Sequence, residues 1–127
     1  MGNKVTSEQY GMEKHILIAN NSYMVTLPAI IKNSGESGDE NGKVIIKAGS
    51  PLYGDITKRG NGFRSNSVEG NPTCVLLHDV DVTDGDNNGT IVIAGVVDLL
   101  KLDSTVVTKI NSVQLPERII FVEGSAI

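Results

Sequence analysis

The chain has 127 residues, enough for one domain, and 39% of them are hydrophobic, so that domain can bury a core. Aromatic residues make up only 4%, which predicts an aliphatic core, and 14 glycines indicate the many turns of an all-β chain. The net charge of −4 argues against nucleic acid as a partner, and no apolar run approaches the ~20 residues that span a bilayer.

The first eleven residues are polar, and we predict that residues 1–11 form a flexible N-terminal arm ahead of a single domain at 12–127. The arm either frays or becomes ordered by adding a strand to the sheet edge of a partner. It lacks the hydrophobic core of a secretion signal, so secretion by that route is not expected. Gly2 and Thr6 match the short myristoylation pattern, but nothing else in the chain indicates a lipid anchor.

Short strands are predicted at the start of the domain. His15–Ala19 is apolar, and Asn20-Asn21-Ser22 after it has the composition of a tight turn. A second strand over Tyr23–Leu27 is expected to stop at Pro28, with Ala29–Lys32 continuing it at a sheet edge or after a bend.

The middle of the chain is rich in small polar residues and turns. Residues 33–42 (NSGESGDENG) predict an exposed loop, and Lys43–Lys47 predicts a strand that ends in a bend at Ala48–Gly54. Residues 55–72 have the composition of a loop or an irregular hairpin, and Phe63 is predicted to anchor that loop to the core.

The segment Thr73–Leu100 is predicted to form the centre of the fold. Val75 to Val82 alternates apolar and acidic residues at its end, as a half-buried strand does. Ile91–Val97 is apolar throughout and rich in β-branched residues, which predicts a strand covered on both faces. An acidic, glycine-containing turn joins the two.

The C-terminal part predicts one helix and one strand. Asp103-Ser104 are helix N-cap residues, and Leu102, Val106, Ile110 and Val113 share one helical face, with Leu115-Pro116 ending the helix. Arg118–Val122 predicts a closing strand. The fold class expected is therefore mainly β: a small barrel-like or sandwich-like domain with one short C-terminal helix.

The turn Asp84–Gly89 (DGDNNG) resembles the opening of a helix-loop-helix calcium loop. Position twelve of such a loop is a bidentate glutamate, whereas here it is Gly95, and the predicted neighbours are strands instead of helices. Asp, Asn and Gly are also typical turn residues, so a structural turn without metal is predicted.

Other reactive side chains suggest no catalytic constellation, so no catalytic, cofactor-binding or metal-binding residue is predicted. Asp79, Asp81, Asp84 and Asp86 form an acidic ridge that is expected to be solvated and that could contact a basic partner surface. His15 and His78 lack zinc-ligand spacing, and Cys74, the single cysteine, excludes an internal disulfide and is predicted to be a buried hydrophobe. Lys58-Arg59 with Arg64 is predicted to be a solvated basic cluster.

Four segments in order resemble the small head decoration proteins of tailed bacteriophages, typified by the lambda head decoration protein D, and the related base domains of phage head-fibre proteins. The segments are AGSPLYG (Ala48 to Gly54), VLLHDVDVTDG (Val75 to Gly85), GTIVIAGVVDLLKL (Gly89 to Leu102) and RIIFVEG (Arg118 to Gly124). The chain departs from the smaller members in the polar loop at 33–42 and in the helical segment at 103–114.

The resemblance implies a β-tulip-type domain that sits as a homotrimer on the capsid exterior of a virion, stabilises the expanded head and is not an enzyme. It implies the major capsid protein as partner, no cofactor, and no contact with nucleic acid or membrane. It also implies a capsid-binding arm made of Lys4, Val5, Thr6, Ser7, Glu8, Gln9 and Tyr10. The alternative is a virion-displayed module that recognises a host-surface glycan or protein. A glycan site usually needs stacked aromatic rings, and the aromatic residues here are scattered.

Overall fold

The computed structural model describes residues 24–66 and 70–123. The predicted arm at 1–11, the strand His15–Ala19 and the turn after it lie outside the described residues. The described elements are seven strands, one α-helix and two 3₁₀ helices. The strands are β1 (Val25–Ile31), β2 (Ile45–Ile46), β3 (Pro51–Leu52), β4 (Cys74–Leu76), β5 (Val80–Asp81), β6 (Asn87–Asp98) and β7 (Ile119–Val122). The helix α1 spans Ser104–Asn111, and the 3₁₀ helices span Ile56–Asn61 and Leu99–Lys101.

The long strand β6 organises the main sheet. Its first part pairs antiparallel with β1 on one side and with β4 on the other, and β4 pairs with β3. Its last part, Gly95–Asp98, pairs in parallel with β7, while β2 and β5 form a separate two-stranded sheet. The mainly β fold with a short C-terminal helix is therefore confirmed, and within the described residues the main sheet is open instead of closed into a barrel.

Both faces of the main sheet carry a core, because neighbouring residues of a strand point to opposite faces. Ile91 and Leu76 belong to one core, and their neighbours Val92 and Val75 belong to the other. The first core is covered by residues of the small sheet and by a loop: Ile46, Val80, Val82 and Phe63. The second core is covered by α1, by the segment just before it and by the bend before β3: Val106, Ile110, Leu102 and Ala48. The prediction that Ile91–Val97 is covered on both faces is confirmed.

The predicted strand from Val75 to Val82 is in fact two strands in two sheets. β4 pairs with β6, whereas β5 pairs with β2, so the chain changes sheet between Leu77 and Asp79. The Asp79 carboxylate accepts a hydrogen bond from the Ala48 N–H at 2.7 Å and stabilises this bend. The predicted alternation is nevertheless confirmed, since Val80 and Val82 are buried and Asp81 is exposed.

The predicted strand does not stop at Pro28, because β1 runs through it to Ile31; of the two continuations predicted for Ala29–Lys32, the one at a sheet edge is confirmed. A proline is tolerated there because β1 is an edge strand, so no ladder hydrogen bond is lost. The loop after β3 covers part of this edge: the Phe63 N–H donates to the Ile30 carbonyl, and the Lys32 N–H donates to the Phe63 carbonyl. The Phe63 side chain is fully buried, which confirms that it anchors the loop.

The helix α1 is shorter than the predicted segment 103–114. Asp103 is its N-cap, as predicted, and its carboxylate accepts the Thr105 N–H at 3.0 Å. The helix ends at Asn111 because the Ser112 side chain and N–H both bind the Lys109 carbonyl and tighten the last turn. Among the described residues, no helix is long and apolar enough to cross a membrane.

Candidate functional site

The acidic ridge is exposed, as predicted, but three of its four carboxylates hold the fold together. Besides Asp79, Asp81 accepts the Thr83 N–H at 2.9 Å. Asp86 accepts the Asn33 N–H at 3.0 Å and lies 3.6 Å from the Lys32 ammonium. The two contacts of Asp86 tie the turn before β6 to the start of the polar loop.

The charges of this ridge do not have the pattern of an acid–base pair. Hydrogen bonds from the Thr83 side chain and N–H hold the pKa of Asp81 below its usual range, whereas a general acid needs a raised pKa. The calcium-like turn is interrupted because β6 already begins at Asn87. In the ranges 24–66 and 70–123, no three His, Cys, Asp or Glu side chains come close enough together to hold a metal ion.

Cys74 is fully buried in the first core, as predicted. Burial raises the pKa of its thiol to about 12, so the thiol stays protonated at neutral pH and is a poor nucleophile. His78 is half-buried in the bend between β4 and β5. His15 lies outside the described residues.

The prediction of one solvated basic cluster is only partly right. Lys58 and Arg64 are exposed, but the Arg59 guanidinium donates a hydrogen bond to the Pro28 carbonyl at 2.6 Å. Arg59 therefore satisfies a carbonyl on the outer edge of β1. Arg64 pairs through its backbone with Tyr53 across the loop.

The polar loop at 33–42 is fastened to the domain by a cluster that the sequence reasoning missed. The Glu36 carboxylate accepts hydrogen bonds from the Ser34 N–H, the Ser34 hydroxyl and the Ser65 hydroxyl. Burial raises the pKa of Glu36, but these hydrogen bonds outweigh it and leave the pKa below its ordinary value. We call Ser34, Glu36 and Ser65 the loop clamp. Most of the loop beyond it is exposed, as predicted.

A groove of about 360 Å³ lies between α1 and β7 and was also missed; most of the residues that line it are apolar, but polar atoms make up more than half of its exposed surface. Its walls include Leu99, Ile110, Val113, Leu115 and Phe121, and Glu117 is at its rim. The only sequence signal for it is the predicted helical face, because Ile110 and Val113 of that face line the groove. We call this surface the α1–β7 groove.

The aromatic side chains do not form a stacking platform in the part of the chain that the structure describes. Phe63 is buried in the first core, Phe121 packs against the second, and Tyr53 is half-buried. The two phenylalanines thus serve opposite faces of the sheet. This arrangement gives no support to the glycan-binding alternative.

Comparisons of the chain with protein families, with curated proteins and with solved structures find no match. The predicted capsid-binding arm, Lys4 to Tyr10, lies outside the described residues. The described candidates for contact with a partner are therefore the acidic ridge and the α1–β7 groove.

Proposed function

We propose that this chain is a structural virion protein that binds the outer surface of a tailed-phage capsid as a trimer and stabilises the expanded head. The observation that supports this most is where the four resembling segments lie. Ala48–Gly54 contains β3, Val75–Gly85 contains β5 and most of β4, Gly89–Leu102 contains most of β6, and the segment from Arg118 contains β7. They are spread over residues 48–124, and β3, β4, β6 and β7, which lie wholly or mostly in them, belong to one hydrogen-bonded sheet. The resemblance thus follows a folded unit.

Stabilisation of a shell is work that a small domain can do without an active site. A trimer that bridges several capsid subunits makes individually weak contacts act together, because each contact raises the effective concentration of the next. A closed three-fold arrangement also presents the same surface to each equivalent capsid subunit. A sheet with a packed core on each face suits this role, since a protein that stabilises a strained shell has to resist deformation.

The arm Lys4–Tyr10 is the proposed capsid contact, acting by strand addition to the capsid sheet. In sequence it precedes β1, which is an edge strand of the described sheet. The acidic ridge is the second candidate contact surface. Variants distinguish the arm from the ridge, because changing a surface affects capsid binding when that surface makes the contact.

The test is to mix the purified full chain with expanded heads of the phage whose genome encodes it and to sediment the heads. We expect the chain to co-sediment at a fixed ratio and to raise the temperature at which the heads break. Removal of residues 1–11 should abolish binding, whereas Asp84→Asn, which removes one charge of the acidic ridge, should leave it unchanged; the reverse result would assign the contact to the ridge. Expanded heads that take up no protein and gain no thermal resistance would refute the proposed function.

A further inference from the structure

Leu100 is the most exposed large apolar side chain of the described residues, at 72% of its accessible surface. The backbone that carries it is held by a cap. The buried Asp98 carboxylate accepts the Leu100 N–H at 3.0 Å and caps the 3₁₀ turn Leu99–Lys101. The backbone of this turn is already ordered, so binding through Leu100 need not order the turn, which favours association.

The α1–β7 groove lies directly beside this turn, because Leu99 lines it while Leu100 points to solvent. The molecule therefore carries an apolar projection beside a recess that is lined mostly by apolar residues. Two copies related by a two-fold axis could each place their projection in the recess of the other, so the two surfaces alone do not fix the number of copies. They can also pair when neighbouring copies are rotated about a nearby axis, as in a closed ring.

The charges beside the two surfaces are complementary. Lys101 follows Leu100 on the turn, and Glu117 is at the rim of the groove. Both are exposed, and neither forms an ion pair with any residue that the structure describes. A second copy that places its Leu100 in the groove brings its Lys101 towards Glu117, which favours that copy as the occupant.

We propose that the α1–β7 groove of one copy receives Leu100 of the next copy, with Lys101 facing Glu117, and that this contact builds the trimer. The inference rests on the proposed function for the number of copies, but the contact itself is argued from the surfaces alone. It assigns the helical segment, in which the chain departs from the smaller decoration proteins, to contact between subunits.

The test is sedimentation equilibrium of the full chain, at low salt and up to about 1 mM, where contacts of millimolar affinity are detected. We expect self-association to weaken about tenfold or more for Leu100→Gln, since the variant loses the burial of one leucine. Val25→Thr is the matched control, because Val25 is 47% exposed on β1, and it should associate like the original chain. Circular dichroism melting should show all variants equally folded.

A charge exchange tests the pairing of the two surfaces. Lys101→Glu and Glu117→Lys should each weaken association about two- to fivefold, and the double variant should restore it. A chain that remains monomeric at the highest concentration, a Leu100→Gln variant that associates normally, or a double variant no better than the single ones would overturn the proposal. Capsid binding is measured separately. If heads bind a chain that is monomeric in solution, the proposed capsid binding stands. If the chain forms a trimer that does not bind heads, the contact between copies stands.

Discussion

Gly54 and Phe63 should be energetically coupled, because a methyl group at Gly54 would lie 2.6 Å from Cδ2 of the Phe63 ring and 2.9 Å from the Gly62 carbonyl oxygen. Real Cβ atoms do not approach so closely, so the ring of a fully buried residue has to move. We predict that Gly54→Ala lowers the free energy of unfolding by about 2 kcal/mol, the usual effect of overpacking.

Phe63→Ala should lower the free energy of unfolding by about 3–5 kcal/mol, because it removes a buried ring and leaves a cavity in the first core. Once the ring is gone, the two close contacts of that methyl group with Phe63 disappear, and the one with the Gly62 carbonyl oxygen remains. The two changes together should therefore destabilise less than the sum of the single changes, by about 1 kcal/mol or more.

The assay is urea unfolding followed by far-UV circular dichroism, since the chain has no tryptophan. Leu100→Ala is the control, and a side chain so exposed should change stability by no more than about 0.5 kcal/mol. Additive effects of Gly54→Ala and Phe63→Ala would refute the close packing of the two residues. A Phe63→Ala effect of less than about 1 kcal/mol would refute its role as the anchor of the loop.

Three further predictions follow from local contacts. Asp103→Ala should lower the free energy of unfolding by about 1 kcal/mol, measured by urea unfolding, because α1 loses its cap; no change would mean that another group caps the helix. Gly49→Ala should cost about 2 kcal/mol or more, since Gly49 has φ +89° and its methyl group would lie 2.5 Å from the Leu102 side chain, and equal melting temperatures would contradict this. Glu36→Gln should destabilise the chain at neutral pH: folding lowers the pKa of Glu36 from its ordinary 4.5, so the carboxylate contributes stability above that pH and loses it as the pH falls through its folded pKa. The difference between Glu36→Gln and the original chain should thus shrink below about pH 4.5, and a difference independent of pH would argue against the loop clamp.

Features encoded in neighbouring residues could be predicted from the sequence. The β-branched run at Ile91–Val97 predicted the central part of β6, and Asp103 predicted the start of α1, because both depend on local chemistry. Phe63 was identifiable as an anchor because it is the one large aromatic residue in a polar loop.

The change of sheet between β4 and β5 could not be predicted in this way. A two-residue period reports only which side chains are buried, and Val80 is buried against the same core as Leu76 although they belong to different sheets. An uninterrupted strand and a strand that crosses to the opposite layer therefore give the same pattern.

Contacts between distant segments were likewise out of reach. The hydrogen bond from Ser65 to Glu36 joins residues 29 positions apart, and nothing near either residue indicates the other. The α1–β7 groove depends on where the helix comes to rest against β7. Neither surface could be found before the fold was known.

The placement of a core on each side of one sheet limits how another molecule can approach this domain. A partner cannot lie flat across the strands of the described sheet, because the layer of β2 and β5 occupies one side and α1 the other. Recognition has to use the rims, the turns and the strand edges, which are narrow. Such small contact areas suit multivalent binding, in which many copies each contribute a weak contact.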